Sequence, residues 1–394
     1  MRIIHVIPGT ADPNTANGVN KVVHWLATNM VAQGHACEVW TLLATEQPPT
    51  HAHTYKLIAF PKSRSKFGLT EDLRETISGL PEDTWVHLHS VFVPQLTSIA
   101  KFLRKRNIRF GITPHGGYLS DRKGRSIAGR IRKRLYLALW EGWTLRNAAL
   151  IHAIGQTEVD DLKSRFSSLH QIALIPNGFE LPTVQDASPH VLKETSLDSA
   201  AEATIVYCGR MAIFQKGLDI LLEGFARYRK SGGTLKLTMV GDGPDRPQLE
   251  ALANQHAIAD AIIWTGQVFG SSLRTILRRA AFFVHSSRFD VIPTACLEAA
   301  SCGAPLIVSE ETNLADFVRH WNCGLVLAPN NPVRLAELFR QAENLTITER
   351  THMGESARSM IETDFTWNEI SRRVVLAIQQ ANFRRTSDRA EILL

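Results

Sequence analysis

The chain has 394 residues, of which 44% are hydrophobic and 21% charged, and it carries a net charge of +6. This is the composition of a soluble globular protein, which excludes wholesale disorder and a collagen-like rod, and the length implies two domains of roughly 150–200 residues each. No apolar run approaches the roughly 18–20 residues of a membrane span. Residues 135–140 (LYLALW) are typical of the longest. The opening MRIIHVIPG is broken by His5 and Pro8 too soon for a secretory signal and reads as a buried first strand, so a cytoplasmic protein is expected. Five cysteines (37, 208, 296, 302 and 323) have no CxxC spacing, so neither a disulfide framework nor structural zinc is expected, and the fifteen histidines look scattered.

Taken in order, short apolar runs alternate with amphipathic stretches, the pattern of parallel α/β units. Strands are expected at 3–7, 37–43, 85–89, 109–113, 149–154 and 172–175, with a helix over 19–33. Residues 181–202 lack an apolar period and carry Pro, Ser and acids, so they read as a linker. Strands resume at 204–208, 235–240, 262–265, 282–285 and 306–308, and Leu218, Leu221, Leu222 and Phe225 form one helix face. The expected domains are thus 1–180 and 203–365, with a C-terminal helix at about 366–388 packing back on the first.

Charge is uneven. Residues 1–180 hold 22 Lys and Arg against 14 acids, whereas the remainder holds 22 against 24. Most of the excess lies in 101–134, with 12 basic residues and the single acid Asp121. Such a cluster is either a solvated face or the contact for an anionic partner. RIRKR (130–134) runs into a segment where Ile131, Leu135, Leu139 and Trp143 follow helical spacing. A basic helix end joined to an aromatic, apolar stripe fits an anionic membrane surface, although the same stripe would serve as plain core contact. No helix-turn-helix, RRM or zinc-finger pattern points to nucleic acid, and none is expected as a partner.

The dinucleotide fingerprint GxGxxG is missing after the first strand, which demotes an NAD-dependent enzyme. Gly18 falls just before a helix, where it is either a turn glycine or lets a ligand approach free N–H groups. In the second half, strand 204–208 leads to Gly209-Arg210, then Lys216-Gly217 and a helix. Two cations beside a helix N-terminus suit a diphosphate. The stretch FFVHSSRFDVIPTACLEAASCGAPLIV (282–308) parses as strand, loop, helix and strand, with Pro293 in the first helical turn and Gly303 at the C-terminal cap. Asp290 lies in the loop, and N–H groups near Val291, Ile292 and Thr294 would face an anion. Glu298, on an apolar helix, calls for a salt bridge or a ligand such as a ribose diol.

These residues resemble the family 4 glycosyltransferases of the GT-B fold: two carboxylates separated by seven residues, with GR…KG upstream. QGHACEV (33–39), HLHS (87–90), TPHGG (113–117), IPNGFE (175–180), VGDGP (240–244) and WTGQV (264–268) match further landmarks in order. The resemblance implies two Rossmann-like doubly wound domains facing a cleft, and retaining transfer from a nucleoside diphosphate sugar to a saccharide or lipid-linked saccharide. It implies that Arg210 and Lys216 hold the diphosphate, Glu298 the ribose, Asp290 the donor sugar, and that His115 lies near the transferred sugar or acceptor. Gly18 would let its loop close over the phosphate. The first carboxylate is usually Glu followed by Gly, and here it is Asp290-Val291, which leaves the sugar contact open. With no Asp-x-Asp in the chain, no obligatory metal and no cofactor beyond the donor are expected. The rival readings are a sugar-nucleotide epimerase of the same fold and a non-enzymatic binder of anionic surfaces.

Overall fold

The computed structural model describes residues 1–15, 17–43, 52–118, 127–181 and 204–391. They form two compact units, Met1–Gly178 with Trp367–Leu394, and Phe179–Thr366. Apart from Leu181, the segment read as a linker lies outside the described residues.

The first unit is built on strands β1 (Arg2–Ile7), β2 (Ala36–Leu43), β3 (Lys56–Pro61), β4 (Trp85–His89), β5 (Arg109–Thr113), β6 (Leu150–Ala153) and β7 (Ile172–Leu174). They pair in parallel in the order β3-β2-β1-β4-β5-β6-β7. Successive strand residues face opposite sides. Ile4, Val6, Val86 and Leu88 therefore join one core, while Ile3, Ile7 and Trp85 join another with Val23, Leu26 and Met30 of helix Gly18–Ala32. Trp367, Ile370, Val374 and Ile378 of helix Trp367–Glu391 close that second core. The C-terminal helix thus belongs to the first unit although the second unit lies between them in sequence.

The second unit repeats the plan with β8 (Thr204–Cys208), β9 (Lys236–Val240), β10 (Ile262–Gly266), β11 (Ala280–His285), β12 (Leu306–Ser309) and β13 (Gly324–Leu327). Their parallel order is β10-β9-β8-β11-β12-β13, again with one apolar core on each face. Both sheets are doubly wound, as expected from the sequence. Two strands, β3 and β13, were not expected. Each is an edge strand. KLIAFP ends in proline and is mostly half-buried, and GLVL is only four residues long, so neither gives the long buried apolar run that marks an inner parallel strand.

In each sheet the strand order reverses direction at one place, between β1 and β4 and between β8 and β11. In open α/β sheets the crevice beyond the carboxyl ends of the strands at such a switch point is where ligands bind. Among the described residues no helix is long and apolar enough to cross a membrane.

The basic segment departs from the expected continuous stripe. Helix Ile127–Tyr136 passes into a π-turn, Leu137–Glu141, before helix Gly142–Asn147. The wider turn shifts the helical phase. Ile131, Leu135 and Leu139 are 53, 55 and 60% exposed, but Trp143 turns inward and packs against the first core. Lys133 also departs from an outward basic face. Its Nζ donates to Gly117 O at 3.1 Å and lies 4.2 Å from the Phe92 ring centre. Arg132 and Arg134 stay exposed. Arg122, Lys123 and Arg125 of the same cluster lie outside the described residues.

Candidate active site

In the second unit, the loops after β8 and β11 flank the switch point and are stitched together through backbone. Gly217 has φ +62°, and a Cβ there would sit 2.0 Å from Ser286 O, so only glycine permits the approach. Ser286 Oγ donates to Gly217 O at 3.0 Å, Ser287 Oγ to Gln215 O at 2.8 Å, and Arg288 N to Gln215 O at 3.0 Å. Arg288 also forks onto Asp219 at 2.6 and 2.8 Å. A second close approach joins the loop after β8 to the one after β9, where a Cβ on Gly241 would lie 2.1 Å from Gly209 O.

This frame places Lys216 against Asp290, with Nζ donating to Oδ2, and both side chains are largely buried. His285, at the end of β11, lies 3.2 Å from the same oxygen. Burial lowers the His285 pKa, with Lys216 adding to the effect against the pull of Asp290, so the ring is neutral and its Nε2–H donates a hydrogen bond. For Asp290, burial pushes the carboxyl upward, but the His285 hydrogen bond and the Lys216 charge outweigh it and hold the pKa at about 2. Arg210 is exposed, its guanidinium reaching only Gln215 Oε1 among the described residues, at 3.0 Å. An ammonium has three protons and a guanidinium five, so this pair keeps donors to spare for phosphate oxygens.

Glu298 lies on helix Thr294–Ser301, half-buried, and its carboxylate makes no hydrogen bond among the described residues. Burial raises its pKa while the charge of Arg274 works against the shift. Among the described residues no salt bridge accounts for this acid. Pro293 stands at the cap of that helix (φ −72°, ψ 114°), not in its first turn as the sequence implied, because Pro293 O accepts from Cys296 N and Leu297 N. The Thr294 and Ala295 N–H groups therefore have no intrahelical acceptor. Val291 and Ile292 are half-buried in the approach to them. Gly303, with φ +83°, ends the helix as expected.

In the first unit, Gly18 opens helix Gly18–Ala32, with Asn17 Oδ1 capping Val19 N at 3.0 Å. Among the described residues a Cβ on Gly18 would meet nothing within 4 Å. His115 sits beyond β5 in the left-handed region (φ +54°). The turn around it is pinned by Glu158, whose carboxylate accepts from Gly116 N at 2.7 Å and Ile154 N at 2.9 Å. The turn reading of His115 describes this geometry.

What the sequence did not disclose is that five histidines are connected. His5, His87, His89 and His152 point to one face of the sheet at the carboxyl ends of β1, β4 and β6, and all are buried. His5 Nδ1 lies 2.8 Å from His89 Nε2, and His89 Nδ1 lies 2.9 Å from His115 Nε2. A second chain runs from His87 Nε2 to Thr113 Oγ1 (2.7 Å), on to His152 Nδ1 (3.1 Å), and from His152 Nε2 to Ile175 O (2.8 Å). A carbonyl only accepts, so His152 carries its proton on Nε2, Thr113 donates to His152, and His87 donates to Thr113. Burial drives all five rings to the neutral form, His5 and His115 to about 3 and His152 to about 4. The available signal was the alternation His87-Leu88-His89, which puts both rings on one face of a strand.

Two doubly wound parallel sheets, with the Lys216–Asp290 ion pair, Arg210 and a half-buried helix acid at the strand ends of one, define a GT-B architecture. Among solved structures, Anabaena HepE in complex with UDP matches with a TM-score of 0.67 and 16% identity over 96% of this chain and 100% of that one. Residues 17–178 match the model of a glycosyl transferase 4-like domain and residues 193–360 that of glycosyl transferases group 1. The chain belongs to the family 4 glycosyltransferases. Glycogen synthase of Mycobacterium tuberculosis is 22% identical over 94% of this chain and 92% of its own length. Alpha-monoglucosyldiacylglycerol synthase of Streptococcus pneumoniae is 27% identical over 41% of this chain and 37% of its own.

Proposed function

We propose that the protein is a retaining hexosyltransferase that moves a sugar from a nucleoside diphosphate sugar to a hydroxyl of a saccharide or lipid-linked saccharide. The observation that carries this is the grouping of Arg210, Lys216, Asp290 and Glu298 at one switch point. In the transfer, the bond between the anomeric carbon and the diphosphate oxygen breaks, and the acceptor oxygen bonds to that carbon. The acceptor proton passes to the departing phosphate. Arg210, Lys216 and the Thr294 and Ala295 N–H groups stabilise the charge that grows on the leaving group. Glu298 accepts from the ribose hydroxyls. Asp290 is held by Lys216 and His285, which supports a role in orienting the donor sugar over one as a free nucleophile. Arg210 and Lys216 take the place of a divalent metal beside the diphosphate in this reading, so none is required.

Calorimetric titration with UDP, GDP and ADP, each in magnesium and in EDTA, tests the donor half. One nucleotide is expected to bind in the micromolar range equally in both buffers. UDP is the first to try, since HepE was solved with it. Glu298→Ala, which removes two ribose hydrogen bonds, is expected to weaken that binding about tenfold or more. Binding that needs magnesium, or that ignores Glu298→Ala, would overturn the assignment. Conversion of the donor with no acceptor present would favour the epimerase.

The acceptor side supports glycolipid or surface polysaccharide assembly at the inner face of a bacterial membrane. Ile131, Leu135 and Leu139 are one helical turn apart and exposed, with Arg132 and Arg134 exposed beside them. Each apolar side chain is already about half-buried and gains about 1 kcal/mol on insertion. Ile131→Ser with Leu135→Ser and Leu139→Ser should therefore lower co-sedimentation with phosphatidylglycerol vesicles about a hundredfold in partition coefficient. Equal sedimentation of the wild type with phosphatidylcholine and phosphatidylglycerol would rule out the electrostatic part.

A further inference from the structure

We propose that Met30, His5 and His89 are positioning residues that fix His115 as its Nε2–H tautomer, so that His115 Nδ1 offers a lone pair to a substrate hydroxyl. The hydroxyl rests on the transfer reading above, whereas the tautomer order does not.

The order follows from one atom that has no proton to give. His5 Nε2 lies 3.3 Å from Met30 Sδ. A thioether accepts weakly and never donates, so His5 carries its proton on Nε2. His5 Nδ1 is then an acceptor, and His89 Nε2, at 2.8 Å, donates to it. His89 Nδ1 becomes an acceptor in turn, and His115 Nε2, at 2.9 Å, donates to it. Reversing any one ring would set N–H against N–H or leave two lone pairs facing each other in a buried site. The three rings therefore change together or not at all. His5 and His89 are 0% exposed, so water cannot substitute for a lost partner. The chain ends at His115, which is half-buried and whose Nδ1 makes no hydrogen bond among the described residues.

The chemical result is selective. A neutral ring with a lone pair at Nδ1 accepts from a hydroxyl, and it has no proton for a carboxylate or a carbonyl. Burial reinforces this by keeping each ring from taking a second proton. Glu158 fixes the turn that holds His115, and Met30 fixes which of its nitrogens is the base.

The test is a long-range proton–nitrogen correlation spectrum of the intact protein labelled in its histidine rings, at pH 7.5 and without substrate. His5→Gln, His89→Gln and His115→Gln spectra assign the three signals. All three rings are expected as Nε2–H. Met30→Leu preserves volume and removes the only acceptor that His5 Nε2–H has among the described residues, so most of the His115 signal should move to the Nδ1–H form. That response occurs in a residue Met30 does not touch. Thermal unfolding of the variant confirms that it folds. A wild-type His115 in the Nδ1–H or imidazolium form, or three unchanged rings in folded Met30→Leu, would overturn the relay. In the same variant kcat/KM should fall about threefold to tenfold while nucleotide affinity is unchanged; a moved tautomer with unaltered kcat/KM would refute the hydroxyl contact. Absent turnover in a wild type with the expected tautomers would count against the transfer reading and leave the relay standing.

Discussion

Lys216→Ala should reduce kcat/KM by about a hundredfold to a thousandfold, the range seen when one preorganised charge is taken from a developing oxyanion. Arg210→Ala should cost a similar factor, yet the two variants should part on stability. Arg210 is exposed and among the described residues reaches only Gln215, so its loss should leave the melting temperature where it was. Lys216 is largely buried and paired with an equally buried Asp290. Removing the ammonium strands that carboxylate, and breaking one side of such a pair costs about 3 kcal/mol. The Asp290 pKa should then rise from about 2, because burial keeps pushing it up and only the His285 hydrogen bond remains against it. Steady-state kinetics and thermal unfolding of both variants, side by side, check this. An unaltered rate in Lys216→Ala would remove the diphosphate assignment, and a lower melting temperature in Arg210→Ala would mean that its charge serves the fold.

The parts of this site that were legible in the sequence share one property: their partners are near in chain or are marked by residue type. Gly217 is readable because a glycine directly before a helix marks a tight turn, here with φ +62°, and Glu298 because an acid on an apolar helix stands out by residue type. The inner strands announced themselves as apolar runs, while edge strands β3 and β13 did not. The histidine chain was illegible for a different reason. His5, His89 and His115 are joined only because β1 lies beside β4 and β4 beside β5, and strand order is a property of the whole sheet. Gly111 shows how tightly that order is specified. A Cβ there would sit 2.7 Å from the Trp85 ring and 3.1 Å from His87 Nδ1, so the β5 glycine makes room for the β4 rings. The inward turn of Lys133 and the π-turn at Leu137–Glu141 were hidden likewise, since the helical period alone predicts an unbroken outward face.

Buried neutral histidines also make the first unit acid-labile, and this effect should be large. His5, His87, His89 and His152 are at most 1% exposed, and burial lowers each pKa below the ordinary value of 6.5. For groups with a lowered pKa, the unfolded chain binds protons that the folded one refuses. Their stabilisation is therefore present above pH 6.5 and is lost as the pH falls toward the folded values. Each contributes about 1.4 kcal/mol per pH unit once the unfolded ring is fully protonated, or about 5 kcal/mol per unit for the four. Two buried acids act in the opposite sense. Burial raises Glu141 to about 7 and Glu158 to about 6 against the backbone N–H groups that each accepts. Folded protein with a raised carboxyl pKa binds protons first, so stability from these acids grows as the pH falls through their folded values and levels off near 4.5. Together they return about 2 kcal/mol per unit, which is less than the histidines remove. Between pH 7.5 and pH 5 the histidines therefore outweigh the acids, and the first unit loses stability on acidification. The second unit has only His285 fully buried among its described histidines. Acid titration followed by calorimetry should therefore resolve two transitions, with the first unit melting at the higher pH. His152→Gln, whose amide can still donate to Ile175 O and accept from Thr113, should reduce the slope of stability against pH by about 1.4 kcal/mol per unit. A single transition with a slope unchanged in that variant would show that the rings take up protons while folded, and that the network is held by something other than its neutrality.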